Sequence, residues 1–396
     1  MKKVLVITEA FLSQNASGFN KTAWSLISLG FHPDEVKVMV PYVVKGMYEG
    51  EPDIATNILF RLYLIKGMRN RLSVVFGQLI KYINYVFRNI YVRFIDVGDD
   101  ISTILVIPNT FEVLHTAYLL SVRCSKPLFI FLMDDWLYSQ SLSYERKIVQ
   151  SVMDRSSGFI FISEALKDSM YKRYELEKPY QLYFNPLRQY LNREKAIEAI
   201  RDNCKLCYVG SIYEMHNSLF TFIEFINKFN KSNTSTITLD IYTTRQIFES
   251  SGLKDYLSNH VQYVGFLDYE SLLDTISNYD FGLLSTSFTQ TDNIKNIVST
   301  SLLTKLNDYV SAGLPIMCYG PSYSASNTFV KKHELGVEIS SNTYDSFSEK
   351  ISAYLRERLS IRDKVRIASE YYHQLAFDKY CNSNKAALFV KSLDDV

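Results

Sequence analysis

Short apolar runs alternate with stretches of helical periodicity along most of the chain, the pattern left by a parallel sheet covered on both faces by helices. In the first half the runs predict strands at Val4–Thr8, Val36–Val40, Ile101–Ile107, Leu128–Leu132, Phe159–Ile162 and Gln181–Phe184. The pattern stops at NPLRQYLNREKAIEAIRDN, a polar stretch opened by Asn185-Pro186. It restarts with strands at Leu206–Val209, Ile237–Tyr242, Val261–Val264, Phe281–Leu284, Ile316–Cys318 and Val337–Ile339. Two doubly wound α/β domains in tandem are the economical reading: residues 1–187, a linker over 188–204, and residues 205–360. The tail, 361–396, reads as helix throughout and either caps the second domain or crosses back to the first. A cleft between the halves is the default ligand site.

Composition changes this picture little. With 396 residues, 47% hydrophobic and 21% charged, the chain has ordinary globular proportions, and a net charge of +1 gives no reason to expect a nucleic-acid partner. Five cysteines, Cys124, Cys204, Cys207, Cys318 and Cys381, are an odd, scattered set unlike a secreted disulfide framework, so a cytoplasmic setting is expected. Cys204 and Cys207 form a C-x-x-C without a second ligand pair, and no metal site is assigned. The opening MKKVLVITEAF reads as a strand rather than a signal peptide, and no run of 18 apolar residues predicts a membrane span.

In open α/β sheets ligands gather beyond the carboxyl ends of the strands. No G-x-G-x-x-G or Walker motif occurs there, which disfavours nicotinamide enzymes and P-loop ATPases. Gly18, Gly210 and Gly265 follow strands instead, where a missing Cβ lets the backbone approach a ligand. In STSLLTKLNDYVSAGLPIMCYGP, apolar spacing predicts a helix over 300–312, which puts Lys305 near a terminus whose dipole disfavours cations. A diphosphate at that terminus would make the lysine a counter-ion, and Asp308 on the same face would meet ribose hydroxyls. A surface pair between Lys305 and Asp308 is the plainer alternative.

The order DFGLL, TKLNDYVSAGLPI, YGP, with GFLDYESLLDTISNYDFGLL upstream, LFIFLMDDW at 128–136, ISEALKDSMYKRY followed by NP, and the opening SGFNKTAWSLISLGFHPDEV, resembles GT-B-fold glycosyltransferases, in particular family-4-like bacterial enzymes of surface polysaccharide assembly. The resemblance implies a nucleotide-sugar donor, of UDP or GDP type, held at Thr300, Ser301, Thr304 and Lys305. It implies Asp308 on the ribose, Gly265, Phe266 and Leu267 at the base, Gly210 and Ser211 near the phosphates, and Gly18 in the facing loop. Thr300 stands where the family's E-x7-E pattern has its first glutamate. The basic pair after the glycine turn aligns with Ser211 and His216, which leaves phosphate neutralisation to Lys305 with Arg245.

The transfer builds negative charge on the leaving diphosphate, for which helix N–H groups and Lys305 suffice without metal or other cofactor. An inverting reaction would need a base, with Asp134 or Asp135 after LFIFLM the first to test; a retaining reaction, the habit of the resembled family, needs none. The acceptor implied is an oligosaccharide, lipid-linked in polysaccharide assembly. From Asp53 to Asp96 no acidic residue intervenes among Arg61, Lys66, Arg69, Arg71, Lys81, Arg88 and Arg93. Val75, Leu79, Ile83, Val86 and Ile90 share a helical face there, with Lys81 and Arg88 away from it. Residues 56–93 therefore read either as a core-facing helix or as a peripheral contact with the inner membrane leaflet. Two other functions fit the pattern: a nucleotide-sugar 2-epimerase, and a non-catalytic GT-B subunit supporting an active partner.

Overall fold

In the computed structural model the residues described are 2–8, 18–41, 56–58, 82–83, 85–139, 143–183, 203–376 and 379–392. Contacts divide the chain into two units, Met1–Phe184 with Tyr380–Val396, and Asn185–Lys379. Among the described residues no helix is long and apolar enough to cross a membrane.

The first unit is built on a parallel sheet of seven strands: β1 Lys3–Thr8, β2 Val36–Val40, β3 Thr56–Ile58, β4 Ile101–Ile107, β5 Leu128–Leu132, β6 Gly158–Phe161 and β7 Tyr180–Leu182, in the order β3-β2-β1-β4-β5-β6-β7. The central strands have no solvent face. Every residue of β5 is buried, as are Val4 to Thr8 of β1, which is why these strands read as unbroken apolar runs rather than as alternations. Helices α1 Gly18–Gly30, α2 Phe111–Cys124, α3 Ser143–Arg155 and α4 Glu164–Tyr174 connect them. Gly18 opens α1 rather than lying in the loop before it, and the loop residues 9–17 lie outside the described set.

The second unit is a parallel sheet of six: β8 Asn203–Val209, β9 Thr236–Tyr242, β10 Val261–Gly265, β11 Phe281–Ser285, β12 Ile316–Tyr319 and β13 Gly336–Ile339, ordered β10-β9-β8-β11-β12-β13. Its helices are α5 Ser218–Ser232, α6 Arg245–Ser250, α7 Tyr269–Ile276, α8 Asp292–Thr300, α9 Lys305–Ser311, α10 Ala325–Lys332 and α11 Tyr344–Ala376. In both sheets the first strand of the unit sits inside, with the order reversing beside it, as in a doubly wound fold. The expected linker 188–204 falls outside the described residues up to 202, and β8 already begins at Asn203. Cys204 and Cys207 are both buried in β8. Three positions apart on a strand, their side chains take opposite faces and do not share a ligand.

The last helix, α12 Lys379–Lys391, belongs to the first unit. Ala386, Ala387 and Val390 are buried in that unit's core, and Lys391 Nζ lies 2.7 Å from Glu35 Oε2. The approach of α12 to α1 is close at Gly30, where a Cβ would stand 2.6 Å from the carbonyl oxygen of Ser383.

Two expectations change. The helix expected over 300–312 is two elements: Thr300 ends α8, residues 301–304 form a short connection, and Lys305 opens the seven-residue α9. The apolar periodicity runs through both helices without a glycine or proline between them, so the break left no mark in the pattern. Arg88, placed away from the apolar face of a basic surface helix, is instead turned inward with its side chain 10% exposed. Lys81 and the basic residues before it lie outside the described set.

Candidate functional site

The carboxyl ends of β8 and β9 and the start of α9 bring Lys305, Tyr208, Gly210 and His216 together. β8 ends in a turn at Gly210, whose φ of +112° is a region that favours glycine, and Gly210 N–H donates to Tyr242 O at the end of β9 (2.9 Å). The Lys305 side chain passes this turn: a Cβ on Gly210 would lie 3.7 Å from Lys305 Cε, and Lys305 Nζ stands 3.8 Å from the centre of the Tyr208 ring. Tyr208 is itself held by its hydroxyl donating to Ser211 O (2.7 Å).

Lys305 is buried, and among the described residues its ammonium has no hydrogen-bond partner. Burial alone pushes its pKa down to about 7. Beside it, the turn Glu214–His216 is closed by His216 N–H donating to Tyr213 O (2.8 Å) and pinned by Ser287 N–H donating to Met215 O (2.8 Å). His216 Nδ1 accepts from Tyr213 N–H (3.2 Å). Burial, with the Lys305 charge second, holds its pKa down at about 2, so the ring is neutral. A neutral imidazole that accepts at Nδ1 carries its proton at Nε2. That Nε2–H is buried and has no partner among the described residues. Two buried donors thus lack an acceptor, each an unsatisfied group costing about 1 to 3 kcal/mol. An acceptor of negative charge is the chemical complement of both, and beside the lysine it would offset desolvation with attraction.

The framework under these donors is tight. Tyr309, four residues after Lys305 on α9, accepts from Val209 N–H (3.1 Å) through its hydroxyl, which lies 3.2 Å from Leu283 O. One phenol therefore ties α9 to the ends of β8 and β11. Helix amides contribute less than the sequence suggested. Leu306 N–H is taken by Leu303 O and Asn307 N–H by Thr304 O, and Leu303 N–H donates to Ser326 Oγ. With α9 only seven residues long, the helix terminus offers an anion little, and the unsatisfied groups here are side chains.

The other expected residues are distributed as follows. Thr300 is buried and its hydroxyl donates back to Asn296 O (2.8 Å). Ser301 Oγ is buried without a partner among the described residues, Thr304 is exposed, and Asp308 is half-buried on α9. Gly265 ends β10 with φ +122°, Phe266 is 71% exposed and Leu267 half-buried. Arg245 opens α6, is exposed, and its Nε donates to Glu249 on the same helix (2.8 Å). In the first unit Asp134 is exposed, whereas Asp135 is buried and accepts from both terminal nitrogens of Arg173 (2.7 and 2.5 Å). Both Asp135 oxygens are thereby committed, which removes it as a free base.

A cleft of about 320 Å³ opens beside the His216 turn, lined by Asn217, Ser218, Thr221, Phe288, Thr289 and Asn342. Its amides and hydroxyls carry no charge and suit a polyhydroxyl ligand. Among the described residues no cluster of His, Cys, Asp or Glu could hold a metal ion.

Residues 213–359 match the family model described as glucosyltransferase 3-like, C-terminal domain. No curated protein matches in sequence. Among solved structures, HepE of Anabaena in complex with UDP aligns over 100% of both chains at 11% identity with a TM-score of 0.62. Sucrose-phosphate synthase of Thermosynechococcus elongatus aligns over 99% of both at 12% and 0.62. The α,α-trehalose 6-phosphate synthase of Burkholderia multivorans aligns over 100% of both at 11% and 0.62. The fold is the GT-B fold of these structures, and residues 213–359 of the second unit are similar to the glucosyltransferase 3-like C-terminal domain.

Proposed function

We propose that the protein transfers a hexosyl group from a nucleoside diphosphate sugar to an oligosaccharide acceptor, lipid-linked in polysaccharide assembly on the cytoplasmic side, as a family-4-like enzyme. The observation that carries this reading is the pair of buried donors, Lys305 Nζ and His216 Nε2–H, left without an acceptor among the described residues beside the positive-φ turn at Gly210. A diphosphate fits that pair in charge and in number of acceptors. The structural neighbour HepE is described in complex with UDP and with UDP-glucose, which makes UDP-glucose the first donor to try.

In the proposed reaction the bond between the anomeric carbon and the diphosphate oxygen breaks, and one from that carbon to an acceptor hydroxyl forms. Lys305, protonated once the anion is bound, and His216 Nε2–H receive the charge that develops on the leaving diphosphate. Gly210 and Ser211 lie beside the phosphates, Asp308 takes the ribose, and Gly265, Phe266 and Leu267 take the base. No metal or further cofactor enters. We favour retention, in which the acceptor proton passes to the leaving phosphate; inversion would assign Asp134 as base, since Asp135 is engaged by Arg173.

Calorimetric titration with UDP-glucose, GDP-sugars and their nucleotides tests the reading. One nucleotide sugar should bind the wild type, and Lys305→Ala should abolish binding while the protein stays folded. Binding that survives in Lys305→Ala refutes it. One observation favours a second reading, a supporting subunit without turnover. The Thr300 hydroxyl bonds to its own helix where relatives of the resembled family hold the sugar. Donor binding with neither transfer nor donor hydrolysis would select it.

A further inference from the structure

The cleft beside the His216 turn is framed by parts of the second unit that the donor reading leaves unused: the start of α5, the segment after β11 and the segment after β13. Two of its walls are fixed by Tyr319, which is buried at the end of β12. The Tyr319 hydroxyl donates to Asn342 Oδ1 (2.7 Å), and the Phe288 ring packs edge-on against the Tyr319 ring with centres 5.3 Å apart and planes at 66°. One buried phenol therefore orients both an amide and an aromatic wall. Asn217 precedes the first turn of α5, yet its side chain does not cap that helix; its Nδ2 donates to Thr289 Oγ1 (3.4 Å). Ser218 Oγ donates to Thr286 O (2.7 Å), so the bond it shares with Ser285 Oγ (2.7 Å) is one that it accepts.

These bonds decide what each group has left. Asn342, with Oδ1 taken, keeps both N–H donors of its amide. Asn217 keeps Oδ1, an acceptor, and Thr289 keeps its O–H. Thr221, one turn into α5, keeps a whole hydroxyl, and none of these remaining groups has a partner among the described residues. The cleft thus presents donors and acceptors together, with no charged side chain in its lining. A sugar hydroxyl both donates and accepts, so a ring of hydroxyls matches that mixture, and the apolar C–H face of the ring matches Phe288. A carboxylate or phosphate only accepts: it would oppose Asn217 Oδ1 and meet no cation. An ammonium only donates and would fail at Asn342 in the same way.

We infer that this cleft is a binding site for an uncharged sugar ring, carried either by the donor or by a free saccharide. The inference does not rest on the donor reading, because the second source needs no nucleotide.

Two measurements on the full chain separate the sources. Saturation-transfer NMR reads the free saccharide, with the methyl glycosides of glucose, galactose and N-acetylglucosamine and, as their charged counterpart, methyl glucuronide. Calorimetry reads the donor, as the margin by which UDP-glucose or a GDP-sugar binds more tightly than its own nucleotide. The diagnostic variant is Asn342→Asp, which keeps an acceptor for the Tyr319 hydroxyl, loses both N–H donors and places its charge at an exposed position, so its melting temperature should match the wild type. A free-saccharide site gives a signal with at least one neutral glycoside, none with the glucuronide, and binding at least about tenfold weaker in the variant. A donor site gives the nucleotide-sugar margin, lost in the variant while the nucleotide itself still binds. Thr221→Val, which removes only a hydroxyl, should move the same readout in the same direction. The inference is overturned if neither a neutral glycoside nor a donor margin is seen with the wild type, if folded Asn342→Asp equals the wild type in both measurements, or if the glucuronide binds as well as the neutral glycosides. A chain that binds a neutral glycoside but no nucleotide sugar would sink the donor reading alone.

Discussion

On the proposed function, the buried ammonium of Lys305, unpartnered among the described residues, makes donor affinity a function of pH, and the direction follows from the structure. In the free protein its pKa is pushed down to about 7 by burial. A diphosphate attracts only the protonated form, so binding above pH 7 must first place a proton on Lys305. The competent fraction falls about tenfold per pH unit above 7 and changes little below it, which predicts affinity weaker by about a hundredfold at pH 9 than at pH 6. His216, held near 2, does not titrate in this window. A nucleotide sugar, rather than the free nucleotide, keeps the ligand charge constant. Calorimetry in buffers of different ionisation enthalpy should show close to one proton taken up per donor at pH 8 to 9 and far less at pH 6.

Fold stability should run the other way. In the unfolded chain the lysine keeps its ordinary value of 10.5, so between about 7 and 10.5 the unfolded state holds a proton that the folded state does not. Stability therefore rises with pH across that window, by on the order of 1 kcal/mol per unit, and the penalty is fully present below pH 7. Lys305→Met should melt higher at pH 6, lose the pH-dependent rise, and lose donor binding. A dissociation constant that is flat from pH 6 to 9, or a slope that survives in Lys305→Met, would refute the reasoning.

Tyr309→Phe should leave Val209 N–H without its acceptor, cost about 1 to 3 kcal/mol in denaturant unfolding, and weaken donor binding by displacing the start of α9. Asp135→Asn should destabilise by about 2 to 3 kcal/mol, because Arg173 keeps a side chain only 25% exposed and loses its carboxylate; thermal unfolding measures this. Gly30→Ala gains at most about 1 kcal/mol in helix propensity but drives a Cβ to 2.6 Å from the Ser383 carbonyl, so the steric cost should win by about 1 to 2 kcal/mol, read as a lowered melting temperature.

Most of the fold was legible because its strands are buried on both faces and announce themselves as apolar runs. The one described strand that escaped, β3, is a three-residue edge strand, Thr-Asn-Ile, and edge strands are short and polar. Lys305 could be found because a cation at the start of a helix is out of place. The donor on His216 could not, since its availability depends on which ring nitrogen Tyr213 N–H occupies. The inward turn of Arg88 was also hidden: sequence periodicity says which residues share a face, not which face meets the core. The boundary between α8 and α9 failed for the same reason, since both helices keep one phase of apolar spacing across residues 301–304.

The placement of α12 sets synthesis against assembly. A ribosome releases the first seven strands long before it has made Ala386 and Val390, yet those side chains complete the hydrophobic interior around α1. The amino-terminal half must wait, with part of its oily surface uncovered, for the last helix to emerge. Truncation within α12 would thus be felt first in the unit built on β1 to β7.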